Sequence, residues 1–265
     1  MRCFIRLSIA VLTLGTAIAH AQDVPLKADI VVMGELHDIA EHHANQAGWI
    51  DRMGPSAIVF EMLEPEQGEI ATDMQGDPAE ILGTALAWEE RGWPDFNIYA
   101  PIFARANGAR IYGASVARDR AALAVEDGAA AVIGPGASES FALDIPIPLE
   151  ERAIREAEQA EAHCGLMPPE MLAGMVEAQR LRDATLAQIA IRAFDETGGS
   201  VAIVTGNGHA RNDWGVPVYL KAARPDLSVT SIGQYVDAES DAPFDHVVIA
   251  GGYPDDRDDP CDALR

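Results

Sequence analysis

Six short, apolar, β-branched runs limit the folds open to this chain. Each ends at or next to a glycine or a polar residue, and helical patterns follow several of them. The runs are Asp29–Met33, Ala57–Glu61, Ala109–Gly113, Val201–Thr205, Ser228–Ile232 and His246–Ala250, and the helical patterns are Ala40–Met53, Asp77–Glu90 and Ile98–Asn107. Runs that are apolar throughout are typical of strands buried on both faces. The alternation therefore predicts an α/β fold, a mostly parallel sheet flanked by helices.

A long helical segment interrupts this rhythm. Two charged helical stretches, Leu149–Ala162 and Pro169–Phe194, follow one another without an intervening strand. Prolines between them favour a turn, because proline cannot continue a helix but fits its first turn. We expect a helical hairpin inserted at about residues 149–197 of a single domain that spans residues 22–265. The Ala/Gly/Pro-rich stretch Ala122–Pro148 is interpreted as the linker into it.

The N-terminus has the pattern of a secretory signal. Arg2 and Arg6 precede an apolar run, Leu7–Ala19, and Ala19-His20-Ala21 provides an A-x-A cleavage site. The run is short for a membrane span, and no later stretch is long and apolar enough to predict one. We interpret residues 1–21 as a cleaved signal peptide and expect a periplasmic or secreted protein. An uncleaved N-terminal anchor is the alternative.

Two cysteines remain once Cys3 has left with the signal peptide. Cys164 and Cys261 form an even pair in a chain expected to be exported, so a disulfide is the natural interpretation. Free thiols or a soft metal site are the alternatives, and the lack of a C-x-x-C spacing disfavours the metal site.

The overall charge excludes some partners. With 19 Lys+Arg against 42 Asp+Glu, the formal net charge is −23. Nucleic-acid binding needs clustered cations to neutralise phosphates, and anionic membranes attract basic segments. We therefore predict neither a nucleic-acid partner nor a membrane-surface role.

Acidic residues and histidines follow three of the predicted strands directly. Glu35 and His37 follow the first strand, Glu61 ends the second, and His209 follows Val201–Thr205. In a parallel sheet the carboxyl ends of the strands meet at one edge, where ligands bind in open α/β folds. These four side chains should converge, and such a set is suited to a divalent metal or to acid–base chemistry. Satisfied loop residues are the alternative.

Aromatic residues and a single arginine add two further candidates. The segment Trp88–Phe103 holds five aromatic residues, whereas the whole chain is 6% aromatic. The segment could wall a flat apolar ligand or form ordinary core, and Tyr99 needs a polar partner in either case. Arg118, after the third strand, could bind a carboxylate or form a surface ion pair.

Taken in order, these motifs resemble the ChaN family of the haem-binding uptake / Tiki superfamily. The resemblance runs from about Ile30 to Leu220, and any one motif alone would be weak. It rests on Gly34–Asp38, His42-His43, Gln46, Phe60–Met62, Gly206–Arg211 and Gly215–Pro217. It implies an α/β fold, an exported protein linked to haem or iron acquisition, and haem bound between the subunits of a homodimer. No lipobox cysteine is present, although some members of the family are lipoproteins.

The resemblance leaves two functions open. The first is a periplasmic haem-binding protein for iron uptake, with Tyr99, His37, His209 and Arg118 as haem-binding residues. The second is a metal-dependent hydrolase, since Tiki-type proteases and erythromycin esterases in the superfamily use a similar His/Glu pocket. There His37, His209 and Glu61 would bind Mn, Co or Zn, and Glu35 or Glu61 would act as general base. Haem binding is the leading hypothesis, and whether the chain is an enzyme stays open.

Overall fold

The computed structural model describes residues 18–19, 23–238, 243–254 and 261–262. In this part of the chain seven strands form one sheet in the order β1-β7-β6-β2-β5-β3-β4, and every neighbouring pair is parallel. The first is a two-residue edge strand. The strands are β1 Ile18–Ala19, β2 Ile30–Met33, β3 Ala57–Phe60, β4 Arg110–Gly113, β5 Val201–Val204, β6 Val229–Tyr235 and β7 His246–Ile249.

Helices cover both faces of the sheet, which explains why the central strands are buried along their whole length. On one face Val31, Met33 and Ile58 share a core cluster with α1–α4, and on the other Ile30, Val32 and Val59 share one mainly with α5, α6, α9 and α11. The helices are α1 Ala40–Met53, α2 Pro65–Asp73, α3 Ala79–Ala85, α4 Phe96–Ala104, α5 Arg118–Asp127, α6 Ala129–Ile133, α7 Pro135–Ser140, α8 Leu149–Ala162, α9 Pro169–Thr197, α10 Asn207–Ala210 and α11 Val216–Ala223.

The predicted α/β fold with a mostly parallel sheet is confirmed, but two local predictions are wrong. The supposed linker Ala122–Pro148 contains the end of α5 and the short helices α6 and α7, because its alanines pack against α9. The single helix predicted over Asp77–Glu90 is α3 followed by a separate 3₁₀ turn, Glu89–Arg91.

The N-terminal prediction can be compared only in small part with the structure. The expected signal peptide, residues 1–21, lies outside the described residues apart from Ile18–Ala19 in β1. Within the described ranges, none of the helices combines the length and the apolar character that a membrane crossing needs.

A disulfide joins Cys164, at the turn between α8 and α9, to Cys261 near the C-terminus. Their Cα atoms lie 5.7 Å apart, within the usual range for a disulfide. The bond closes a loop across 97 residues and ties the C-terminal tail to the hairpin.

We predict that replacing both cysteines, Cys164→Ser with Cys261→Ser, lowers the free energy of unfolding. A cross-link across 97 residues stabilises by roughly 4–5 kcal/mol in the chain-entropy model. Urea unfolding with and without reductant measures this. Reductant should lower the wild-type midpoint and leave the double variant unchanged, and equal midpoints for the two oxidised proteins would contradict the prediction.

Candidate functional site

The four side chains expected to converge do lie together at the carboxyl edge of the sheet. Glu35 and His37 follow β2, Glu61 follows β3, and His209 lies on α10, directly after β5. Because β5 runs between β2 and β3, the loop that leads to His209 lies between the loops that carry the other three. The cluster divides into a Glu35 group and a Glu61 group.

Glu35 is a fully buried carboxylate held by residues from three elements. Its Oε1 atom is 2.8 Å from His37 Nδ1 and accepts a hydrogen bond of 2.8 Å from the Tyr99 hydroxyl. Oε2 faces His43 Nδ1 on α1 at 3.2 Å, at an angle that leaves Oε2 without a regular hydrogen bond. Burial opposes ionisation, but the charge of His43 and the hydrogen bond from His37 outweigh it and lower the pKa of Glu35 to about 2.

The surroundings of His43 require it to carry a positive charge. Its Nε2 donates to the carbonyl oxygen of His37 at 3.0 Å, so this nitrogen is protonated. Its Nδ1 faces two acceptors, Glu35 Oε2 at 3.2 Å and Gln46 Oε1 at 3.3 Å. Gln46 is oriented by the bond from its amide nitrogen to the Met33 carbonyl oxygen. Burial opposes protonation of His43, but the Glu35 charge outweighs it and raises the pKa of the imidazole.

In the Glu61 group, His209 lies between two carboxylates. Its Nδ1 is 2.7 Å from Asp183 Oδ1 and its Nε2 is 3.4 Å from Glu61 Oε1. Glu61 Oε2 also accepts bonds from the Thr205 hydroxyl at 2.6 Å and the Gly206 amide at 2.9 Å. Burial opposes protonation of His209, but the charges of Glu61 and Asp183 raise its pKa to about 10. Burial likewise opposes ionisation of Glu61, but His209 holds its pKa well below the usual range.

His37 is the most accessible histidine of the cluster. Its side chain is 35% exposed, and its Nδ1 is taken by Glu35. No hydrogen bond to Nε2 is found within the described residues. Burial disfavours protonation, but the Glu35 hydrogen bond and the Glu61 charge raise the pKa of His37 to about 8. His37 is thus oriented by a carboxylate and presents its second nitrogen outward.

Gly206 lets the two groups approach each other. A Cβ atom placed on Gly206 would lie 3.0 Å from His37 Nε2 and 3.8 Å from Glu61 Oε2. A side chain at this position would fill the space in front of His37 and push against its ring. The glycine therefore keeps the outward nitrogen of His37 accessible.

The aromatic segment is mainly core. Trp88, Phe96 and Phe103 are buried core residues, and two members of the segment reach the site: Tyr99 through its hydroxyl, and Trp93, whose ring centroid lies 5.2 Å from that of His37. Tyr99 is fully buried and its hydroxyl is engaged by Glu35. Haem ligation by Tyr99, as predicted from the sequence, would require this hydrogen bond to break.

A cleft of about 460 Å³ opens beside Glu61 and Trp93. Apolar side chains and arginines share its walls. Its lining includes Glu61, Glu64, Glu90, Arg91, Trp93, Ser115, Val116, Arg118, Arg182 and Leu186. Arg118, predicted from sequence as a possible carboxylate ligand, is exposed on this wall.

The predicted metal ligands do not form a ligand group in the structure. Among the described residues, no three His, Cys, Asp or Glu side chains are arranged to hold a metal ion. Of the predicted set His37, His209 and Glu61, the last two already bond each other and further partners.

Sequence reasoning missed two members of the cluster, His43 and Asp183. His42 and His43 entered only through the family resemblance, and both are buried. His42 instead accepts from the Leu36 amide and bonds the Ala250 carbonyl oxygen. Asp183 lies in the middle of α9, where the helical periodicity alone does not distinguish it from other polar positions.

Comparisons with known proteins agree with this fold. A family model described as "Haem-binding uptake, Tiki superfamily, ChaN" matches residues 23–220. ChaN of Campylobacter jejuni, solved for its cofacial heme binding, is 18% identical with a TM-score of 0.63, covering 84% of this chain and 87% of that chain. At this identity the likeness shows the fold alone.

Two other solved structures are more distant. The type III effector HopBA1 is 12% identical with a TM-score of 0.45 over 84% of this chain and 88% of that one. An erythromycin esterase, EreC, is 14% identical with a TM-score of 0.43 over 79% of this chain and 70% of that one. Neither carries an argument about this chain. No curated protein matches the sequence.

We predict that His209 makes stability fall as pH rises above neutrality. Its pKa of about 10 exceeds the unfolded value of about 6.5. Unfolding therefore releases a proton between these values, and the stabilisation, complete below about pH 6.5, is lost as pH rises towards 10. Urea unfolding between pH 6 and pH 10 should show a downward slope that His209→Gln weakens.

The matched control is His246→Gln, on β7 and outside the cluster. It should keep the wild-type slope. If the free energies of unfolding of His209→Gln and of the wild type fall in parallel as pH rises, His209 is not held protonated by Glu61 and Asp183.

Proposed function

The chain belongs to the haem-binding uptake family of the Tiki superfamily that includes ChaN, and on this basis we propose that it binds haem in the cleft beside His37. The observation that carries the proposal is the single outward imidazole nitrogen, His37 Nε2, oriented by a buried carboxylate. Haem would be the cargo of iron uptake, and the protein would hold it by a bond to the haem iron.

Of the predicted haem-binding residues, His37 has the surroundings that best suit a ligand to the haem iron. Metal-binding histidines commonly give their second N–H to a carboxylate, which fixes the tautomer and the ring orientation. His37 has this partner in Glu35 at 2.8 Å, and its Nε2 has no hydrogen-bond partner among the described residues. Because the pKa of His37 is about 8, iron binding at neutral pH would release the Nε2 proton. Both nitrogens of His209 face carboxylates, and the Tyr99 hydroxyl is buried against Glu35.

The cleft fits the body of a flat apolar molecule. Its volume of about 460 Å³ lies within the usual range for small-molecule sites. Trp93, Val116 and Leu186 provide apolar wall, and Trp93 links the cleft to His37. Arginines on the same wall could meet the propionates.

A location outside the cytoplasm is part of the proposal. It is supported by the signal-like sequence at residues 1–21 and by the disulfide between Cys164 and Cys261, a bond that persists in oxidising compartments. We further propose that two copies of the chain share the ligand, as the resemblance to the ChaN family implies.

One observation favours hydrolysis as a second candidate. A histidine that is oriented by a carboxylate and has one free nitrogen at a cleft is suited to general-base catalysis. In this chain the pair would be Glu35 and His37, with no need for Glu61 and His209 to change partners. A metal-dependent version would require Glu61 and His209 to release their present bonds.

We predict that His37→Ala abolishes specific haemin binding by the purified protein. The wild type should give a saturable shift of the Soret band with a defined stoichiometry, because one nitrogen is available to the iron. The variant should lose the shift or weaken binding by at least tenfold, and His246→Gln should bind as the wild type does. Saturable binding that is unchanged in His37→Ala would rule out His37 as the ligand.

A second prediction separates the two candidate functions. If the protein is a hydrolase, turnover of a panel of ester and peptide substrates should depend on His37 and Glu35 and proceed without added haemin. We expect no turnover above that of His37→Ala, with or without added Mn²⁺, Co²⁺ or Zn²⁺. Turnover that His37→Ala removes would favour the hydrolase and displace the haem-binding proposal if haemin also fails to bind.

A further inference from the structure

Two arginines in the cleft stand out because the rest of the protein is so acidic. The chain has 42 Asp+Glu and 19 Lys+Arg, so most arginines find a carboxylate. Arg110 pairs with Glu196, and Arg224 pairs with Asp195. Arg118 and Arg182 both line the cleft, and within the described residues neither has a carboxylate partner.

The remaining contacts of these arginines are weak. Arg182 has one bond, at 3.5 Å, to the side-chain oxygen of Gln179. Arg118 has no hydrogen bond among the described groups. Each therefore keeps most of its five N–H donors available for a ligand.

The acidic side chains around the cleft are partly paired. Glu64 is paired with Arg91 at 2.8 Å, and Glu61 shares His209 with Asp183. Glu90, exposed at the rim, is the one acidic lining residue for which the described part of the chain shows no cation. Arg118 and Arg182 are thus cations without a carboxylate partner among the described residues, in a cleft that also has acidic side chains in its lining.

The local backbone supports the same charge preference. Arg118 is the first residue of α5, and the preceding Ala117 provides no side-chain cap for the helix. The first turn already contains one acidic side chain, Asp119, which accepts from the Arg120 amide, so the remaining N–H groups of the turn are the ones that would attract an anion. Ser115 adds a hydroxyl on the same wall.

We propose that Arg118 and Arg182 form a carboxylate-binding subsite that selects ligands carrying acidic groups beside an apolar body. The guanidinium fork of arginine matches a carboxylate with two parallel hydrogen bonds. The proposal rests on the proposed function in that haem, with its two propionates, is the ligand it would fit. It adds that the carboxylates of the ligand, and not only its iron, determine which molecules bind in the cleft.

Three porphyrins test this subsite on the wild-type protein. Haemin has iron and two carboxylates, haemin dimethyl ester has iron without carboxylates, and protoporphyrin IX has carboxylates without iron. We expect the ester to bind at least tenfold more weakly than haemin, and increasing salt to weaken haemin binding more than ester binding. Protoporphyrin IX should still bind, measured by its fluorescence.

Substitutions of the two arginines test whether these side chains bind the carboxylates. Arg118→Gln and Arg182→Gln should each weaken haemin and protoporphyrin IX binding by about tenfold, the range of one charge-assisted contact, and leave ester binding unchanged. Arg120→Gln, exposed on the same helix, is the matched control and should change neither. Arg182→Lys should restore part of the affinity, which a loss of folding would not allow.

The outcomes separate this proposal from the haem proposal. If the ester binds as tightly as haemin while His37→Ala abolishes both, haem binding stands and the carboxylate subsite is refuted. If protoporphyrin IX binds as tightly as haemin and His37→Ala has no effect, the subsite stands and iron ligation by His37 is refuted. If no porphyrin binds, both are refuted.

Discussion

The ionised carboxylate of Glu35 is 1% exposed, and an uncompensated charge at that depth would be very unfavourable. Its compensation comes from separate elements: His37 from the loop after β2, His43 from α1 and Tyr99 from α4. The carboxylate thus fixes how these elements sit against the edge of the sheet. It also fixes the ring of His37, so the accessible nitrogen of the site is a consequence of a buried charge.

The Glu61 group repeats this arrangement on the other side of Gly206. In the Glu61 group the buried charge is the imidazolium of His209, and two carboxylates compensate it. In the Glu35 group the buried charge is the carboxylate, and imidazoles compensate it. Asp183 brings α9 into the site, so the helical hairpin supports the cluster as well as covering one face of the sheet. The two groups differ in accessibility: His209 is enclosed by its partners, whereas the side chain of His37 is 35% exposed and contacts Trp93, which lines the cleft.

Topology explains what could be predicted from the sequence. Glu35, His37, Glu61 and His209 were identifiable because residues that directly follow parallel strands must share one edge, whatever the packing of the helices. His43 and Asp183 lie within helices, and the direction of their side chains depends on how deeply α1 and α9 pack. Tyr99 was correctly expected to need a polar partner, but only the packing of α4 shows that this partner is Glu35. The helices within Ala122–Pro148 were missed because alanine and glycine carry little hydrophobic periodicity.

The order of strands has a consequence for how the protein is made. β2 and β3 are neighbours in the chain but not in the sheet, because β5, residues 201–204, lies between them. A nascent chain that has emerged only as far as β4 therefore lacks the strand that lies between β2 and β3, and Glu61 lacks Thr205, Gly206 and His209. Contacts between such distant segments make folding slow. An incomplete chain would therefore stay open until β5 has been made.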